Sequence, residues 1–118
     1  MDLTDKFALT LVRTLKREAS EWVDLVERTP EGSITDPYFL AVSRLYRSLD
    51  ETQKATFLAL VQQSNLDGAA SVLGFIDGAS VMEGWGGNYR LTYDGNNLGD
   101  GSLDSFIGAQ QDEALKTH

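Results

Sequence analysis

The stretch from Asn65 to Glu83 constrains the fold of this chain most. Between Gly68 and Met82 it carries one charge, Asp77, so the rest of the protein is expected to cover most of its surface. Read as a helix, it places Ala70, Gly74 and Gly78 at i, i+4 and i+8. Such a stripe of small residues lets another backbone approach closely, with Leu66, Val72, Leu73, Phe75 and Ile76 supplying bulk around it. The expectation is a buried central helix over 65–83. Gly78 is either a second contact glycine or the left-handed residue that ends the helix.

Upstream, Leu3, Phe7, Leu11, Leu15, Ala19, Trp22 and Val26 recur at alternating steps of three and four, one face of an amphipathic helix over Leu3 to Arg28. Thr29-Pro30-Glu31-Gly32-Ser33 stops it, because proline lacks a donor and glycine accepts positive φ. Asp36 before Pro37 reads as an N-cap followed by proline at the first helical position, opening a second helix with Tyr38, Phe39, Val42, Leu45, Tyr46 and Leu49. Asp50 with Gln53 three residues later has the spacing of a capping box, starting a third helix through Phe57, Leu58, Leu60 and Val61 to about Ser64.

After Glu83 the chemistry changes. Gly84-Trp85-Gly86-Gly87-Asn88 is a flexible loop, and Tyr89, Leu91 and Tyr93 alternate with Arg90 and Thr92 at the period of a half-buried strand. Asp94-Gly95-Asn96-Asn97 is a turn signal, with a return strand or loop from Leu98. Ser102 or Asp104 can cap a short segment holding Leu103, Phe106 and Ile107, and the polar tail from Gln110 is expected to fray. The resulting fold class is α+β, mainly α: about four helices followed by a small C-terminal β-hairpin. A single domain is expected, with a helical scaffold at 1–64, the central helix at 65–83, a glycine-rich acidic hairpin region at 84–109 and a polar tail at 110–118. The expected core comprises Phe7, Leu11, Leu15, Trp22, Phe39, Val42, Leu45, Phe57, Leu60, Val61, Leu73, Ile76, Leu91 and Phe106.

Charge narrows the function classes. Eighteen acids against ten bases give a net of −8, which repels nucleic-acid phosphates and anionic membranes and suits a basic protein partner. Residues 1–65 hold ten acids and eight bases, whereas residues 66–118 hold eight acids against Arg90 and Lys116 alone. Cysteine is absent, which excludes disulfides and thiolate chemistry, and the one histidine is His118, either native or the remnant of a purification tag. Histidine bases, Ser-His-Asp triads and phosphate-cradling glycine loops are not encoded, so an enzyme is not expected and no cofactor is called for. The N-terminus has no secretory pattern and no run spans a bilayer, giving the expectation of a soluble, cytoplasmic protein.

Three candidate sites remain. Trp85, Tyr89 and Tyr93 among the acids Glu83, Asp94, Asp100 and Asp104 form a candidate partner-binding surface, since aromatics dominate interface energetics. The competing reading folds Trp85 back as a lid on the core. Asp94, Asn96 and Asp100 are weak metal candidates: Asp94, Asn96 and Gly99 match the first, third and sixth positions of a calcium loop, but Leu98 fails the fifth and Ser105 replaces the glutamate at the twelfth. An acidic hairpin turn accounts for the same residues. Asp77, with Asp67 or Glu83, is a candidate general acid or base if burial raises its pKa; the alternative holds it at the helix end, exposed or bonded to backbone amides or an arginine. Self-association is open through the second helix if Tyr38 and Tyr46 are exposed.

Leu73-Gly74-Phe75-Ile76-Asp77-Gly78, then Tyr89-Arg90-Leu91-Thr92-Tyr93 and a Leu103-x-x-Phe106 ending, resemble small bacterial domains of uncharacterised function, some of which act as immunity proteins against toxins. The resemblance covers mainly residues 50–107, implies a protein that works by binding, and carries over no functional residues. The alternative class is a calcium-binding module or carboxylate-based enzyme built on the 94–104 turn.

Overall fold

In the computed structural model the elements run α1 (Leu3–Arg28), a 3-10 turn (Glu31–Ser33), α2 (Pro37–Arg47), α3 (Glu51–Ile76), β1 (Thr92–Tyr93), β2 (Asn96–Asn97) and α4 (Ser102–Lys116). The structure describes residues 1–80, 82–99 and 101–116. The fold class is therefore α+β and mainly α, with four helices and one antiparallel hairpin among the described residues. The arrangement differs from the expected one. The third helix and the central helix are one continuous α3, and the hairpin precedes the fourth helix, which extends into the tail expected to fray, as far as Lys116. The chain forms two compact units, Leu15–Asn65, and Met1–Thr14 with Leu66–His118.

In the Leu15–Asn65 unit the helix ends follow from local chemistry. The Asp36 carboxylate accepts from the Phe39 N–H at 3.1 Å with Pro37 at the first turn of α2. Asp50 and Gln53 form a reciprocal capping box, Gln53 N–H to Asp50 Oδ1 at 2.8 Å and Asp50 N–H to Gln53 Oε1 at 2.9 Å. Arg47 donates to the Thr29 carbonyl at 2.5 Å and the Glu27 carbonyl at 3.5 Å, satisfying acceptors left at the end of α1. Val23, Val26 and Tyr46 are buried, with Trp22, Phe39, Val42, Phe57, Leu58 and Val61 packed against them. Phe57 stacks on Trp22 (centroids 6.5 Å apart) and meets Tyr46 edge-on at 5.5 Å. Tyr46 is thus core rather than surface, whereas Leu45 and Leu60, expected in the core, are exposed.

In the other unit Ala8, Val12, Leu66, Leu73, Leu98, Phe106 and Ala109 are buried. On α1 the fully buried line is Ala8, Val12, Ala19, Val23 and Val26, one position round from Phe7, Leu11, Leu15 and Trp22, which are half-buried. Smaller residues occupy the closest contacts and larger ones reach in from the side.

The C-terminus of α3 settles the role of Gly78, which lies at φ 78°. The Ala79 N–H bonds to the Gly74 carbonyl at 2.9 Å and the Gly78 N–H to the Phe75 carbonyl at 3.3 Å, the paired bonds of a Schellman ending. The helix therefore stops at Ile76 rather than running to Glu83. Gly74 is buried, but a Cβ built there would meet only the side chains of Leu103 and Ser80, both at 3.6 Å. The expected close backbone approach is replaced by ordinary side-chain packing, and Ser71 and Val72 of the same helix are exposed. The hairpin turns at Asp94 (φ 48°) and Gly95 (φ 79°), positive φ at both central positions as a two-residue I′ turn requires.

Candidate functional site

Trp85 is 69% exposed, so it does not lid the core. Its loop is pinned on both sides: the Trp85 N–H donates to the Met82 carbonyl at 3.0 Å, and the Tyr89 hydroxyl donates to the Trp85 carbonyl. Gly84 (φ 79°) and Gly87 (φ 145°) supply the turns that bring these groups together. Glu83 is exposed beside them. The loop thus presents a large indole from a backbone held by its own hydrogen bonds.

Tyr93, 59% exposed, and Asp94 lie on the hairpin. Of the alternating strand expected over 89–93, only Thr92 and Tyr93 pair, opposite Asn97 and Asn96; Leu91 is half-buried and accepts from the Leu98 N–H at 2.7 Å. Tyr93 and Leu98 form one wall of an open apolar groove of about 420 Å³ whose other wall is α1, through Leu3, Phe7 and Leu11. Among the described residues, Lys6 is the one charged side chain lining it. The groove was missed from the sequence, although the doubled apolar line on α1, Leu3-Phe7-Leu11 beside Ala8-Val12, is the signal for a helix with more apolar face than one neighbour covers.

Asp104 stands apart from these aromatics, in the first turn of α4, lining a second cleft with Asp5, Leu9 and Asp112. The Ser105 hydroxyl donates to the Asp5 carboxylate there at 2.7 Å. Asp100 lies outside the described residues. Of the metal candidates, Asp94 is exposed at the turn, and the Asn96 amide donates weakly to the Asp94 carbonyl at 3.5 Å. The Asn97 side chain accepts from the Gly99 N–H at 2.9 Å. Among the described residues no three acids or histidines come together as a metal would need.

Asp77 has a structural task. Its Oδ1 accepts from the Ser102 hydroxyl at 2.9 Å and its Oδ2 from the Leu103 N–H at 2.7 Å. A carboxylate from the end of α3 therefore caps α4, a helix N-terminus with free donors and positive partial charge. This is the amide-bonded alternative; neither Asp67 nor Glu83 is needed as its partner.

Comparison with protein families, with curated proteins and with solved structures finds no match to the chain. Among the described residues no helix is long and apolar enough to cross a membrane.

Proposed function

We propose that this chain works by binding another protein, a basic one, through the surface formed by Glu83, Trp85, Tyr89, Tyr93 and Asp94, in the manner of a cytoplasmic immunity protein or adaptor. The observation that carries the reading is the exposed Trp85 on a loop braced by Tyr89. A loop whose backbone is already held loses little conformational freedom on binding, and buried tryptophans at interfaces commonly contribute about 2 kcal/mol or more. Asp104 and the other acids of residues 66–118 supply the field that draws a basic partner in, raising the association rate more than the final affinity. The groove beside Tyr93 offers a seat for an apolar side chain of that partner.

The test is affinity capture from native lysate, followed by calorimetry with the purified partner. Trp85→Ala should weaken the complex by about thirtyfold, the equivalent of about 2 kcal/mol. A Glu83→Gln/Asp94→Asn pair should slow association and flatten its salt dependence while leaving dissociation nearly unchanged. A partner that binds the Trp85→Ala variant as well as wild type overturns the reading.

A further inference from the structure

Two of the exposed aromatics at residues 83–94 stand beside an acid. Glu83 and Trp85 belong to one turn, closed by the Trp85 N–H on the Met82 carbonyl at 3.0 Å with Gly84 at φ 79°. Tyr93 and Asp94 are consecutive at the hairpin turn. All four residues are exposed. Among the described residues no base pairs with Glu83 or Asp94, and no cation of the chain lies over Trp85 or Tyr93. Arg90, the one base between them in the sequence, is exposed and joins neither pair.

The same combination is complete within the Leu15–Asn65 unit. Lys54 Nζ lies 5.1 Å from the centre of the Tyr46 ring and 3.7 Å from Glu51 Oε1. The ring face attracts the cation through its quadrupole, and the carboxylate holds the same charge from the side. At Trp85 and Tyr93 the chain supplies the ring and the carboxylate but, among the described residues, no cation of its own.

We propose that arginine side chains of the basic partner stack on Trp85 and Tyr93 while donating to Glu83 and Asp94, an inference that rests on the protein-binding reading and names the group this surface recognises. The setting selects arginine over lysine. The Lys54 side chain is only 23% exposed, so its ammonium meets Tyr46 and Glu51 largely out of water. The surface at 83–94 is open, and there an ammonium keeps its tightly held water and gains little from a ring. A guanidinium is planar and more weakly hydrated, so it can lie flat on an indole while its N–H groups donate in plane to a carboxylate. Charge acts in the same direction, since residues 66–118 hold eight acids against Arg90 and Lys116 alone.

The test compares octa-arginine with octa-lysine, peptides of equal charge, by titration calorimetry on the whole chain at about 150 mM NaCl, where long-range attraction is largely screened. Wild type should bind octa-arginine at least about fivefold more tightly, and the indole N–H resonance of Trp85 should shift while that of Trp22 stays in place. Trp85→Ala/Tyr93→Ala should bring the two peptides to equal affinity. Glu83→Gln/Asp94→Asn should weaken octa-arginine at least about threefold, by removing the charge-assisted bonds. Tyr38→Ala deletes an exposed ring whose neighbouring acid, Asp36, already caps α2, and should leave the preference unchanged. All five positions are exposed, and unchanged circular dichroism shows that the variants are folded. A wild type that binds the two peptides equally overturns the arginine assignment, as does a preference that survives in Trp85→Ala/Tyr93→Ala; a natural partner still captured through Trp85 would then leave the protein-binding reading standing. A natural complex indifferent to Trp85→Ala overturns both.

Discussion

Asp77 joins two helices through one side chain, so its removal should be felt well beyond its own position. Asp77→Ala leaves the Leu103 N–H and the buried Ser102 hydroxyl without their acceptor. The loss of a cap together with a buried donor should lower stability by about 1–2 kcal/mol, read as a lower urea midpoint at unchanged slope. Asp77→Asn retains one acceptor oxygen and should lose less. Tyr46 gives a pH test. Burial, with Glu27, Glu51 and Asp24 around it, raises its pKa above the ordinary 10.0, while Lys54 lies 5.1 Å from the ring centre. A group whose folded pKa is raised holds its proton more tightly when folded. Its stabilisation is complete below pH about 10 and is lost as pH climbs toward the folded value. Tyr46→Phe should remove that part of the alkaline limb in a plot of urea midpoint against pH, and an unchanged limb would contradict the assignment. Neither role was settled by the sequence, because both depend on neighbours distant along the chain. Asp77 meets Ser102 and Leu103 only through the fold, and Tyr46 is equally compatible with an exposed or a buried face of α2.

Element boundaries were legible where short-range chemistry sets them. The extent of α1, the Asp36-Pro37 start of α2 and the Asp50/Gln53 box all follow from residues within one turn of each other. What misled was composition read as a boundary. Asn65-Leu66-Asp67-Gly68 resembles a break, yet α3 runs through it, since a glycine within a helix costs only about 1 kcal/mol and burial of Leu66 and Leu73 outweighs that. The tail after Gln110 looks polar, but α4 continues because Phe106 and Ala109 bury one face. The Schellman ending separates the two glycines that the sequence placed in one stripe. Gly78→Ala forces a side chain into the left-handed region and should cost about 1 kcal/mol. Gly74→Ala should be neutral or stabilising, since its Cβ meets neighbours at 3.6 Å, whereas Gly74→Leu should lose about 1–3 kcal/mol by overpacking against Leu103. Thermal denaturation of the three variants checks the order; equal losses at both glycines would refute the distinction.

For the whole molecule, the property most directly readable from the sequence is the net charge, and the structure indicates how it acts. The ion pairs among the described residues, Arg13–Glu113, Arg17–Glu21, Arg44–Glu31 and Lys54–Glu51, each include a side chain at least half exposed, so each contributes little and weakens with salt. Against them stands an excess of eight acids, with Asp5, Asp104 and Asp112 gathered on one cleft. Repulsion over this many unbalanced charges is also screened, and it outweighs the few exposed pairs. Salt should therefore stabilise the monomer. At a few micromolar protein, raising NaCl from about 20 to 300 mM should lift the Tm by about 4 °C, equivalent to about 1 kcal/mol at this size. Asp112→Lys, which takes the net charge from −8 to −6 within the acidic cleft, should raise the low-salt Tm and flatten the salt slope. A Tm that falls as salt is added would mean that the exposed ion pairs outweigh the repulsion, and that the acidity of residues 66–118 is locally compensated rather than free to draw in a basic partner.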